Sequence, residues 1–291
     1  MQVFTMETSD IGEHVVDLLA SIRSDDPVES LRRFAGIQRL ASLSEARSEA
    51  EQRQRDSPLL ASIGRRTLAA DGRTIYRSPT SDTAQIYGEP AAAWERMIQH
   101  YQIRVSILGG TVLPRAWQQI STEHRFHIGD FQALATGSAT VPSTHEGAFA
   151  RGLHYGYSGD FGTAVHLLVP VSKPSCGCTW RMPANARARW GRMGMKTSLG
   201  LSALMENERV VDIFGEDLAF ELRALMCGPI GPNLRNEVAH GLVGDSTFSS
   251  GVSVYLWWLT LKIVFMPYWN ALHNSEAAEA REPDAPHKPS E

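Results

Sequence analysis

The sequence predicts an all-α protein, a helical bundle. Apolar residues recur at helical spacing in successive runs along the chain. Most prolines and glycines fall between those runs, where they start or stop helices. Strand signals are few, and the best of them, Ile103 to Leu108, fits a helix nearly as well.

Ile11, Val15, Leu18, Leu19 and Ile22 define a first helix, and Pro27 interrupts before a second amphipathic run from Val28 to Leu43. The two read as a helical hairpin. Ser44 to Arg55 is rich in Glu, Arg, Gln and Ser and reads as an exposed helix extension. Leu68 to Pro90 is rich in Gly, Thr, Ser, Asp and Pro without periodicity, which marks a linker or long loop. Helical spacing resumes with Trp94, Met97, Ile98, Tyr101 and Val105. Pro114 opens a helix carrying Trp117, Ile120 and His124, and Pro142 opens another before Glu146, Phe149 and Leu153. Gly156, Gly159 and Gly162 punctuate a turn ahead of Ala164 to Val169. Helices over Glu216 to Met226 and Leu234 to Val243 flank the segment Gly228 to Pro232. Val252 to Leu272 reads as a buried helix, since Lys262, Pro267 and Asn270 break what would otherwise be a span of about 20 apolar residues. Glu276 to Glu291 is nearly devoid of apolar residues and reads as a disordered tail. The organisation is therefore an N-terminal helical region over 1–67, a linker over 68–90, a helical domain over 91–273 and a tail over 274–291.

The length of 291 residues and 43% hydrophobic content suffice for one large core or two modest ones. A net charge of −4 provides no overall attraction for nucleic acid, so any RNA contact must rest on a local basic site. Cys176, Cys178 and Cys227 form neither an even disulfide set nor a CxxC pair, which fits a reducing cytoplasm and gives no zinc signature. Glu7, Asp10 and Glu13 are at odds with a secretory leader. No metal, cofactor or membrane is expected.

Chemistry concentrates in the decapeptide from Pro232 to Gly241, which packs a cation, an amide and an imidazole into two helical turns. Asn233 sits as an N-cap candidate, so Arg235 falls in the first turn, where unpaired N–H groups and the helix dipole favour an anion such as phosphate. Asn236 and His240 are four residues apart and share a face, so the amide is expected to fix the imidazole's tautomer. Arginine offers a permanent charge and a planar fork for phosphate oxygens; histidine moves a proton near neutral pH. Together they fit RNA cleavage, in which His240 takes the ribose 2′ proton, the hydroxyl attacks phosphorus and Arg235 stabilises the developing charge. That route needs no metal and leaves DNA intact. The spacing alone is short and common. Arg235 pairing with Glu237, or capping a neighbouring helix while His240 and Gly241 end their own, is the more ordinary account of that spacing taken alone.

The wider pattern resembles the DUF4209 family. Gly-Asp-Phe at 159–161, Ala-Val-His-Leu-Leu-Val-Pro at 164–170, Gly-Leu-Ser-Ala-Leu at 200–204 and the RNxxxHG element within 233–242 occur in this order. The likeness covers roughly Pro142 to Phe265, with weaker likeness back to Trp94. That family is typically longer, which implies a missing N-terminal portion. Its motif is similar to the Arg-x4–6-His motif of HEPN ribonucleases, whose site two chains share. The resemblance therefore implies a HEPN-like domain, a homodimer and an RNA substrate, with Arg235 and His240 catalytic and Asn236 as their polar partner. Glu146, Arg151, Asp160 and His166 occupy further matching polar positions. These read as structural: Asp160 as a helix-end group and His166 as a satisfied core imidazole. A non-catalytic HEPN-like interaction or scaffold module uses the same residues to hold a helix interface.

One stretch departs from the family pattern. From Val171 to Thr197 the chain lacks periodicity where a leucine-rich helix with a glutamate and an arginine is expected. Back-translated and shifted in frame, the stretch permits Leu-Glu-Thr-Leu-Val-Arg-Met-His-Leu-Glu-Asn-Ala-Gly, an amphipathic helix. Two compensating frameshifts are the expectation. Arg181, Arg187, Arg189, Arg192 and Lys196, a tempting basic cluster, would then be an accident of frame, like Cys176 and Cys178.

Overall fold

Helical periodicity becomes helix over most of the chain, and the fold is an all-α bundle. The computed structural model describes residues 11–57, 66–68, 72, 74–78, 84–171, 205–206, 210–241 and 250–279. The Val171 to Thr197 departure lies outside them except for Val171 itself, as do Cys176, Cys178 and the tail beyond Glu279.

Helix α1 (Ile11–Ser21) is followed by α2 (Pro27–Gly36), with Pro27 in the first turn and the Asp26 carboxylate accepting the Val28 N–H at 2.9 Å. The second helix is shorter than its periodicity predicts. Distant carboxylates draw the chain out of helix: Glu221 accepts the Ala41 N–H at 2.7 Å and Asp217 the Leu43 N–H at 2.9 Å. Ser42 then caps a separate helix, α3 (Leu43–Asp56). Although this helix is the charged run expected in solvent, Leu43, Ala46 and Ala50 are buried, and it packs on α4 (Ala91–Ile107).

Between α3 and α4 lie two short antiparallel pairs, β1 (Arg66–Leu68) with β2 (Thr74–Arg77), and β3 (Gln85–Ile86) with β4 (Glu89–Pro90). The second is closed by Tyr87–Gly88 at positive φ, the backbone a tight hairpin turn requires. Strands of two to four residues are too short to register an alternation, so this segment reads as a loop in sequence.

The strand candidate Ile103 to Leu108 is helical, running to the end of α4 and into a π turn (Leu108–Val112). Leu113 N–H bonds to the Leu108 carbonyl, five residues back, and Pro114 follows with no N–H of its own. Then come α5 (Leu113–Glu123), α6 (Ile128–Gly137), α7 (Glu146–Tyr157), α8 (Phe161–Val171), α9 (Val210–Phe214), α10 (Glu216–Met226), α11 (Leu234–Ala239) and α12 (Gly251–Glu279). Helix α12 packs against α2, α4, the π turn, α7 and α8, and continues to Glu279, inside the stretch expected as tail. Its Tyr255, Trp257 and Trp258 are fully buried, and the indoles donate to the Leu153 and Phe34 carbonyls at 3.0 and 3.1 Å. Buried residues from Ile22 to Phe265 form one continuous core, so the N-terminal helices share it with the motif-bearing half. Among the described residues no helix is long and apolar enough to cross a membrane.

Lys262 explains its own place in an apolar helix. Its ammonium donates to the Gln38 carbonyl at 2.8 Å and lies over the rings of Trp258 and Trp269, 5.5 and 5.0 Å from their centroids. Burial nevertheless pulls its pKa from 10.5 down to about 8. A folded-state pKa below the unfolded one means the unfolded chain holds the proton longer, so stability rises as pH climbs from about 8. The expected rise to pH 10 is roughly 1–2 kcal/mol, reduced from the full shift because part of the side chain meets solvent. Urea denaturation at pH 7.5, 8.5 and 9.5 should show it in the native chain and not in Lys262→Met.

Candidate functional site around the 232–241 segment

Helix α11 carries the motif. Leu234 is buried and Val238 packs against the core, which fixes the opposite face outward. Asn233 stands at the N-cap position as expected, but in the left-handed region (φ 50°) and without a side-chain capping bond. Its carbonyl instead receives the Asn236 and Glu237 N–H groups at 2.9 and 3.0 Å. The helix stops at Ala239 because Gly241 takes a positive φ just beyond His240. Its six residues generate little dipole, so the expected anion attraction falls to the Arg235 side chain itself.

Arg235 is half-buried. Its Nη1 meets the Asn236 Oδ1 at 3.5 Å, while its Nε is buried without a hydrogen-bond partner among the described residues. No ion pair with Glu237 forms among them, which removes one of the alternatives open in sequence. His240 is exposed. The expected amide-to-imidazole contact is absent among the described residues; the bond joining the two is from His240 N–H to the Asn236 carbonyl at 3.0 Å. The amide oxygen is turned toward Arg235 instead.

The remaining matched positions lie on α7 and at the start and middle of α8, which packs against α11. Glu146 accepts from Thr136 Oγ1 at 2.7 Å, tying α7 to α6. Arg151 is exposed. Asp160 does what a helix-end residue should: its carboxylate accepts the Thr163 N–H at 2.9 Å, and hydrogen bonds from the Thr163 hydroxyl and then from that N–H lower its pKa. His166 corrects the sequence reading, because it is exposed rather than a core imidazole. Val165 and Leu168 take the inward positions of α8 on either side of it.

Beside α11 opens a cleft of about 770 Å³, and of the three motif residues Asn236 alone lines it. Asn233, Tyr76, Tyr87, Trp94 and Arg223 line it too. Gly231, on its rim, is required by packing: a Cβ there would stand 2.3 Å from the Ala224 carbonyl oxygen. Arg223 is 6% exposed, its guanidinium 4.8 Å from the Tyr87 ring centroid and its Nε donating to the Met205 carbonyl at 3.0 Å. Burial lowers its pKa, and among the described residues no carboxylate lies within ion-pair reach. Glu89, whose charge does reach it, is already paired with Arg47 at 2.6 Å.

Arg223 and Tyr87 have no counterpart in the sequence-level site. A signal for the arginine exists: Phe220, Arg223 and Cys227 form a stripe at helical spacing, so the cation interrupts an apolar line. Tyr87 left only the Tyr-Gly turn dipeptide. Among the described residues no group of three or more His, Cys, Asp or Glu converges as a metal-binding set. No family model, curated protein or solved structure matches the chain.

Proposed function

We propose that the protein is an endoribonuclease that cleaves single-stranded RNA without a metal, using Arg235 and His240. The observation that carries this reading is the buried Nε of Arg235, a cationic donor held by the fold with no acceptor among the described residues. Arg235 is half-buried, so part of its side chain remains open to a phosphate oxygen. His240 stands exposed at the end of the same helix, able to take the 2′ proton as the 2′ oxygen attacks phosphorus; the P–O5′ bond breaks, and the leaving 5′ oxygen takes a proton from water.

The two side chains are five residues apart, about 140° around a helix. One α11 therefore directs them to different sides, and a second copy supplying the histidine opposite the first copy's arginine completes the site. The same divergence favours the second reading, a non-catalytic HEPN-like module whose α11 holds a helix interface.

The test is cleavage of end-labelled single-stranded RNA in excess EDTA. Expected are 2′,3′-cyclic phosphate ends, intact DNA, and loss of product by about 100-fold or more in His240→Ala and in Arg235→Ala. Mixing these two inactive variants should restore part of the activity if the site spans two chains. No cleavage by the native chain would leave the module reading.

A further inference from the structure

We infer that the cleft flanked by Tyr87, Arg223 and Asn233 is a binding site for a nucleoside monophosphate, a ligand with one flat ring and one phosphate. This goes beyond the nuclease reading and does not need Arg235 or His240 to be catalytic.

Arg223 provides the anion end. It is buried, with one face spent on the Tyr87 ring and its Nε on the Met205 carbonyl. Its terminal nitrogens have no acceptor among the described residues, and a guanidinium edge matches two phosphate oxygens at once. A buried cation without a counter-charge is tolerated where a ligand supplies one.

The backbone provides a second, independent observation. Among the described residues the non-glycine residues at positive φ are Tyr87 (φ 53°) and Asn233 (φ 50°), and both line this cleft. The hairpin turn accounts for Tyr87, whereas Asn233 holds its positive φ without a side-chain capping bond, strain of the kind that gathers at ligand sites. The lining thus includes an aromatic ring and an amide at these two positions.

Ligand size and charge follow from the lining. The volume of about 770 Å³ holds a nucleotide. Tyr76 and Trp94 add flat apolar wall, the Tyr76 hydroxyl being fixed on Glu95 at 2.7 Å, while Asn233 and Asn236 offer the donors and acceptors a base edge uses. The lining carries one buried cation and, on the exposed Glu206, one anion, so one phosphate is favoured over a polyphosphate.

The experiment is calorimetric titration of the full chain with AMP, adenosine and inorganic phosphate. AMP should bind at least about tenfold more tightly than either fragment, and Arg223→Met should remove that advantage. Glu206→Gln, a surface change, should tighten AMP about two- to fivefold at low salt. AMP binding no better than its fragments, or unchanged in Arg223→Met, overturns the inference. If Arg223→Met does not fold, unchanged AMP affinity in Glu206→Gln overturns it instead. AMP binding without RNA cleavage keeps this site and removes the nuclease; cleavage without AMP binding does the reverse.

Discussion

Replacing Glu221 by alanine is expected to cost about 3–5 kcal/mol of folding stability, the range for stripping a buried polar network of its acceptor. Glu221 is fully buried on α10 and joins three segments of chain. It accepts the Tyr101 hydroxyl at 2.5 Å from α4, the Tyr255 hydroxyl at 2.8 Å from α12, and the Ala41 N–H at 2.7 Å from the turn between α2 and α3. Burial raises its carboxyl pKa, while those donors and the charge of Arg104 work against the rise. In Glu221→Ala, three donors are left without their acceptor inside the core, and a cavity is added. Glu221→Gln keeps the shape and one acceptor oxygen, so about 1–3 kcal/mol is expected there. Urea denaturation followed by tryptophan fluorescence measures both. An alanine variant within about 1 kcal/mol of the native chain would show that the hub contributes little.

Gly109→Ala is expected to cost about 3 kcal/mol or more, at or beyond the upper end for overpacking. A Cβ on Gly109 would sit 1.9 Å from the Gly251 carbonyl oxygen and 2.6 Å from its carbon. Both are backbone atoms, so no rotamer change relieves the contact; the π turn and the start of α12 must separate. Gly110 provides the control in the same turn. Its Cβ would meet nothing within 4 Å, and Gly110→Ala should lie within about 0.5 kcal/mol of the native chain. Thermal unfolding of both variants distinguishes a specific backbone approach from a general intolerance of side chains in the π turn. Equal losses would point to the latter.

These two sites show where sequence reading stops. Glu221 belongs to an ordinary-looking amphipathic stretch, Glu216 to Met226, with acidic residues spaced as on a solvated face. Its burial follows from partners 120 and 180 residues away along the chain. Gly109 and Gly110 are alike in sequence, and only the approach of α12 to the first makes it irreplaceable. The candidate site divides in the same way. Arg235, Asn236 and His240 were legible as a group because their chemistry and helical spacing are local. That Asn236 turns to its neighbour Arg235 rather than to His240, and that His166 is exposed while Val165 and Leu168 are buried, is seen only in the structure.

By itself, then, the sequence determined the all-α class, the helix starts at Pro27 and Pro114 and the Asp160 cap. Each is settled within about one or two turns of backbone, where periodicity, capping and φ preference act. Only the tertiary structure decided that α2 ends early, that Lys262 and Glu221 find polar partners inside the core, and that Arg223 lines a cleft with no carboxylate in ion-pair reach among the described residues. The reason is physical: a charge's environment is set by whatever packs against it, and the elements that pack here come from opposite ends of the chain.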